Sequence, residues 1–175
     1  HHPENLGYGA ALRTGLLAAT KGHLFFTDAD RQFDIEQISR LDAWATGYDI
    51  VVGYREDRRD PVGRRLNAWA WNRLVGSLFD LGVRDIDCAF KLFDRRVFAA
   101  VPIRSVGAFV NTEILVRARA AGFRIREVPV THFPRTAGAA TGANPRVIGR
   151  AFTELARLHG ELREQGSGAQ RLATA

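Results

Sequence analysis

The sequence predicts an α/β fold: a mainly parallel sheet with flanking helices. Three observations predict it. Short apolar runs of strand length occur at residues 23–27 and 48–53. The segments between and around them carry apolar side chains at helical spacing. Strands and helices therefore alternate along the chain, and that order requires crossover connections between neighbouring parallel strands.

Each element follows from local residues. Residues 7–20 read as a helix, with Leu12, Leu16 and Ala19 at helical spacing and Lys21-Gly22 as its stop. Residues 23–27, His-Leu-Phe-Phe-Thr, read as a buried strand running straight into Asp28-Ala29-Asp30. Residues 35–45 predict a second helix, with Ile35, Ile38, Leu41 and Ala45 on one face, ended by Gly47. Residues 48–53 form the next strand, and 55–63 a charged loop containing Pro61. A long helix is expected over 64–80, carrying Trp69, Trp71, Leu74 and Leu78. Residues 83–93 read as extended and hold Asp85 and Asp87. Asp94 caps a short helix that ends before Pro102, and Asn111 or Thr112 caps a helix over 111–121. Residues 123–130 alternate like a strand with one solvated face, and Pro129 marks an edge or a strand end. Residues 134–144 are a loop rich in glycine, alanine and threonine. Pro145 opens a final helix to Leu162, with Val147, Phe152, Leu155 and Leu158 as its apolar side. Neither an internal repeat nor a linker interrupts the chain, so residues 1–164 are expected as one domain and 165–175 as a loose tail.

Composition narrows the class. At 175 residues the chain is long enough for a real core. Hydrophobic and charged contents of 46% and 25% exclude disorder and collagen. Arg13, Arg73 and Asp80 break the apolar stretches well short of the ~18 residues of a membrane span. A single cysteine, Cys88, cannot form an internal disulfide and fits a reducing compartment. The net charge is +6, and Lys21 and Lys91 are the only lysines beside many arginines. Arginine forks suit phosphate, which points to a nucleotide, a lipid phosphate, a membrane surface or a nucleic acid. The chain has no methionine and starts His1-His2-Pro3, which predicts a piece of a longer protein.

The sharpest motif is Asp28-Ala29-Asp30 with Gln32. It follows a buried strand, and the carboxyl ends of strands are where open α/β sheets bind ligands. Two adjacent carboxylates that stay ionised repel each other unless a cation lies between them. Oxygen ligands suit Mg²⁺ or Mn²⁺, which in turn bridge a diphosphate. The plainer role is helix capping, by Asp30 or Asp34.

Six segments in order resemble family 2 glycosyltransferases of the GT-A fold, in particular dolichyl- or polyprenyl-phosphate sugar transferases. Asn5-Leu6-Gly7-Tyr8-Gly9 is similar to the family's Asn-x-Gly-x-Gly helix start, and Asp28-Ala29-Asp30 to its Asp-x-Asp. Gly53-Tyr54-Arg55 with Arg58, Arg59, Arg64 and Arg65 resembles its arginine-bearing segment. Asp87-Cys88-Ala89-Phe90-Lys91-Leu92-Phe93 resembles Asp-x-x-x-Phe-(Lys/Arg)-Leu. Thr112-Glu113-Ile114-Leu115 with Glu127-Val128-Pro129-Val130, and the arginine-glycine stretch over 135–146, complete the set. The resemblance implies a GT-A domain that lacks its first β-α unit, the part that holds base and ribose.

The resemblance also implies roles, each with a plainer alternative. Asp28, Asp30 and Gln32 would hold the metal. Asn5, Gly7 and Gly9 would touch the donor, or the glycines would serve close packing. Arg55 and Arg65 would bind the acceptor phosphate, or belong to a solvated loop. Asn67-Ala68-Trp69 stands where relatives often carry a serine. Asp87 would be the catalytic carboxylate, or would order a turn or pair with an arginine. Glu113 is a second catalytic candidate, or a first-turn acid favoured by the helix dipole. Arg135 would close over the donor diphosphate, or lie in a plain connector. Cys88 and His132 read as structural.

The implied activity is inverting transfer of a sugar from a nucleotide-sugar donor, of GDP-mannose or UDP-glucose type, to a polyprenyl phosphate. The implied place is cytoplasmic, in peripheral contact with the membrane face, and nucleic acid is not an expected partner. A saccharide hydroxyl acceptor is one alternative. A non-catalytic binding domain is another, weakened because Trp69 and Trp71 fall on a helix expected in the core.

Overall fold

The computed structural model describes residues 1–56, 62–134 and 145–173. Its order is α1 (Tyr8–Ala18), β1 (His23–Thr27), a 3-10 turn (Ile35–Gln37), α2 (Ile38–Asp42), β2 (Ile50–Arg55), α3 (Val62–Phe79), β3 (Phe90–Asp94), α4 (Arg96–Ala100), α5 (Val110–Ala120), β4 (Ile125–Val130) and α6 (Pro145–Ala173). The four strands form one sheet in the order β1-β3-β2-β4.

Three strands point the same way and β3 is reversed. β3 lies antiparallel between β1 and β2, with Phe26 opposite Lys91 and Val52 also opposite Lys91. β2 and β4 run parallel, with Gly53 opposite Val128. The sheet is therefore mixed, and its one parallel pair is the one joined by helical crossovers. β4 is an edge within this sheet, which is where Pro129 costs no ladder bond.

The sheet separates two cores. Ile50 and Val52 of β2 face Leu16, Leu24, Val75, Phe93, Ile114, Leu115 and Leu158. Val51, between them, faces Leu41, Phe90, Leu92, Val128 and Val130 on the other side. A strand with both faces covered needs apolar residues at every position, which is why Ile-Val-Val reads as a continuous run.

Several expected elements differ in extent. The helix expected over 35–45 is a capped 3-10 turn followed by five residues of α2 and further turns. Residues 83–89 are irregular, and only Phe90–Asp94 pair as a strand. α5 begins at Val110 without a side-chain cap, so Asn111 and Thr112 lie inside it and their side chains serve tertiary contacts. Asp94 does accept from Arg96 N at 2.8 Å, ordering the start of α4. α3 starts two residues earlier than expected, and α6 continues through 165–173, where a loose tail is expected. No helix among the described residues is long and apolar enough to cross a membrane.

Candidate active site

β1 delivers Asp28-Ala29-Asp30 at its carboxyl end, and the loop is held from two sides. The Tyr8 hydroxyl donates to Asp28 Oδ1 at 3.2 Å. Gln32 N donates to Asp30 Oδ1 at 3.1 Å, and Arg31 between them has a φ of 60°, in the left-handed region. Gln32 Nε2 donates to Phe133 O at 3.1 Å, and Phe133 N returns a bond to Gln32 O at 2.8 Å. These bonds and the Phe33–His132 bridge lash the loop to the segment after β4. Asp34 caps the 3-10 turn by accepting from Glu36 N at 3.0 Å. The capping role therefore belongs to Asp34, and Asp28 and Asp30 are left at the sheet edge.

A metal fits this donor set only with help from a ligand. Among the described residues no three His, Cys, Asp or Glu side chains gather to hold an ion. Two carboxylates and the Gln32 amide oxygen are what Mg²⁺ or Mn²⁺ uses when water and diphosphate oxygens fill the remaining positions.

The segment bearing Asp87 is fixed by three neighbouring elements. Arg55, at the end of β2, donates to Asp85 from Nε at 2.8 Å and Nη2 at 2.7 Å. Glu127 of β4 accepts from Arg84 N at 2.9 Å and Asp85 N at 3.2 Å. Burial raises the Glu127 pKa above its ordinary value, against these bonds and the nearby Arg84 charge. Asn72 of α3 accepts from Ile86 N at 3.2 Å and donates to Arg84 O at 2.6 Å. Asp87 stays exposed beyond this clasp.

Tyr8 lies against Asp28. Its phenol pKa is pushed above the ordinary value, by burial first and then by the charge of Asp28, with a smaller push from Asp87. Asn111 Oδ1 of α5 accepts from Lys91 Nζ at 3.0 Å, and Lys91 also donates to Cys88 O. Lys91 is 1% exposed, and burial lowers its pKa against the raising effects of Cys88, Asp87 and Asp85. Burial also pushes the Cys88 thiol up to about 12, which makes it inert as a nucleophile.

The remaining expected site residues have separate places. Gly7 and Gly9 pack against the 105–107 backbone: a Cβ on Gly9 would lie 2.4 Å from Ser105 O, and one on Gly7 2.5 Å from Val106 O. Asn5 accepts from Gly7 N at 3.0 Å and shapes that turn. Glu113 is 2% exposed and accepts from Arg104 N, Ser105 N and Arg117 Nε. It faces a charged cluster with Arg117 and Glu161 and secures the very loop on which Gly7 and Gly9 rest. Arg65 is exposed on the first turns of α3. Arg58, Arg59 and Arg135 lie outside the described residues. Tyr8, Asn72, Asp85 and Asn111 carry the geometry without standing out in sequence. Lys91, a lysine between apolar residues of β3, is the visible signal.

A mixed α/β sheet with flanking helices is the architecture of the GT-A fold, and here Asp28 and Asp30 follow its first strand. The chain belongs to glycosyl transferase family 2, whose pattern matches residues 1–101. It is 34% identical over 145 residues to the glycosyltransferase AglD of Haloferax volcanii, covering 77% of this chain and 23% of that protein. It is 31% identical over 164 residues to the polyprenol monophosphomannose synthase of Mycolicibacterium smegmatis, covering 83% of this chain and 60% of that one. The chain thus spans between about a quarter and three-fifths of the length of these relatives. In fold it is similar to glucosyl-3-phosphoglycerate synthase from Mycobacterium tuberculosis in complex with Mn²⁺ and UDP-glucose. That match has a TM-score of 0.71 at 19% identity and covers 91% of this chain and 56% of that one.

Proposed function

We propose that the protein containing this chain transfers a sugar from a nucleotide-sugar donor, of GDP-mannose or UDP-glucose type, to a polyprenyl or dolichyl phosphate, with inversion. The observation that carries the reading is the Asp28-Ala29-Asp30 pair at the carboxyl end of β1, with the Tyr8 hydroxyl donating to Asp28 at 3.2 Å. It supplies a carboxylate pair for the donor diphosphate, with Asp87 as the candidate carboxylate for the acceptor. Similarity to a polyprenol monophosphomannose synthase supports the lipid phosphate acceptor.

Asp28, Asp30 and Gln32 would hold Mg²⁺ or Mn²⁺, which would supply positive charge against the donor diphosphate. Asn5, Gly7 and Gly9 set the start of α1 beside the donor. A phosphate oxygen of the acceptor bonds to the anomeric carbon as the bond from that carbon to the diphosphate breaks. A lipid phosphate is already ionised at neutral pH, so Asp87 orients it and needs to remove no proton. Arg65 and Arg135 offset the charge of acceptor and donor. Arg55 contributes chiefly through Asp85, because its fork is engaged there. Glu113 supports the site from below α1. The +6 charge favours an anionic leaflet at about 1 kcal/mol per basic residue near the surface, which suits peripheral work at the cytoplasmic membrane face.

A saccharide hydroxyl as acceptor is the second reading, favoured by the exposure of the Asp87 carboxylate, since a neutral hydroxyl requires a base. The test is a transfer assay on the full-length protein with several nucleotide sugars, Mg²⁺ or Mn²⁺, and polyprenyl phosphate. Metal-dependent transfer that Asp30→Ala abolishes is expected. Asp87→Ala should reduce transfer modestly to a lipid phosphate and severely to a hydroxyl. Turnover that ignores metal and survives Asp30→Ala overturns the reading.

A further inference from the structure

We propose that the solvent face of α3 is a docking surface for an anionic lipid bilayer, with Val62, Leu66 and Trp69 entering the interface and Arg65 and Arg73 binding its headgroups. The inference extends the membrane contact proposed above and rests on that reading for what the docked site would receive.

The side of α3 turned away from the core is itself apolar. Val75 is buried in the core. Trp71 packs edge-on against Phe109 and Phe152, and its Nε1 donates to Thr112 Oγ1 at 3.2 Å. Asn72, on the flank, holds Arg84 O and Ile86 N. An α-helix turns by about 100° per residue, so positions 62, 66, 69 and 73 share one side, opposite Trp71 and Val75. Val62, Leu66 and Trp69 on that side are 79%, 61% and 62% exposed. A surface helix ordinarily turns polar residues outward, and an apolar stripe there marks a face that meets something less polar than water.

The charge of the helix identifies that partner. Arg64, Arg65 and Arg73 are its only charged residues, and α3 contains no Asp or Glu. Arg73 lies in the stripe and Arg65 along its edge, both exposed. An anionic leaflet complements both features at once, with an apolar interior beneath a layer of phosphates. Tryptophan settles at headgroup level, and an arginine lays its stem on apolar surface while its fork reaches phosphate. Asn72 ties the 84–86 segment to the flank of this same helix. Docking therefore brings the exposed Asp87 alongside the headgroups, where a lipid phosphate acceptor is presented.

The test is co-sedimentation of this chain with vesicles of phosphatidylcholine alone and of phosphatidylcholine mixed with phosphatidylglycerol. Binding to the anionic vesicles is expected to be about tenfold tighter or more, and to weaken with added salt. Leu66→Ser/Trp69→Ser should weaken it by more than about tenfold without lowering the melting temperature, since both side chains are exposed. Leu17→Ser, which removes an exposed leucine of α1, should leave binding unchanged. Tryptophan emission should move to shorter wavelength on the vesicles, and Trp69→Phe should remove most of that movement although Trp44 and Trp71 remain. Indifference to anionic vesicles overturns the proposal, as does binding that survives Leu66→Ser/Trp69→Ser. A dimer that ignores vesicles and that the double change dissociates assigns the face to a second copy and overturns it too. Transfer to a short, water-soluble prenyl phosphate by the full-length protein depends on the transferase reading alone. Its absence sinks that reading, and vesicle binding through α3 then stands by itself.

Discussion

Arg55 and Asp85 form a two-pronged ion pair with side chains only 10% and 7% exposed, at 2.8 Å from Nε to Oδ2 and 2.7 Å from Nη2 to Oδ1. Arg55 N adds a third bond to the same carboxylate at 3.1 Å. The pair joins the end of β2 to the segment that presents Asp87, so it holds that segment to the sheet.

Removing one partner leaves the other charge buried and unpaired. Asp85→Ala is expected to cost about 3–5 kcal/mol, read from urea unfolding. Arg55→Lys should also destabilise, since a point ammonium cannot replace the fork. The joint change Arg55→Met/Asp85→Leu should cost less than Asp85→Ala alone.

Gly9 abuts backbone, which cannot move aside as a side-chain tip can. Gly9→Ala would place a methyl 2.4 Å from Ser105 O and 2.8 Å from Gly107 O. A loss of about 1–3 kcal/mol is expected, with a matching fall in melting temperature. Gly15, in the same helix, has open space around its Cβ position. Gly15→Ala should instead stabilise by about 0.5–1 kcal/mol.

Glu113 accepts two backbone N–H groups and the Arg117 guanidinium. Glu113→Ala leaves all three donors short of a partner, and about 3–5 kcal/mol of stability should go with it. Loss of activity accompanied by this unfolding shift marks support of the 104–107 loop. Full stability with abolished turnover would assign Glu113 to the chemistry.

Acid should weaken the fold through identifiable carboxylates. The hydrogen bond from Arg96 holds the Asp94 pKa below its ordinary value, and that from Arg117 does the same for Glu161. Both groups favour the ionised form more when folded than when unfolded. Their contribution is present above the ordinary carboxylate range and disappears as pH falls through the lowered values. Glu127 has the opposite sign: burial raises its pKa, so its contribution fades as pH rises through that raised value. The urea midpoint should therefore fall below about pH 4, and Arg96→Ala should flatten part of that fall.

Much of the fold was legible because it depends on local pattern. The apolar run Ile50-Val51-Val52 could only be a strand covered on both faces, and the periodic Leu12, Leu16 and Ala19 could only be one side of a helix. The extended reading of 83–89 failed for a physical reason. Those backbone groups are satisfied by side chains from afar, Glu127 and Asn72, instead of by a neighbouring strand. The capping role given to Asn111 failed likewise, because a buried lysine twenty residues away claims its side chain.

The sequence by itself determined the α/β class, the position of Asp28 and Asp30 after a strand, and the glycine pair at the start of α1. Those properties reside in periodicity and in contiguous motifs, which a linear reading contains. Tertiary structure alone decided that β3 runs backwards between β1 and β2, and that Asp85 takes Arg55 and leaves Asp87 at the surface. It also decided that Glu113 supports a loop and that Lys91 is held by Asn111 and the Cys88 carbonyl. Each of these is a pairing of charges or hydrogen-bond donors across long sequence separations, and which partner a buried polar group finds is set by where the packed elements place it.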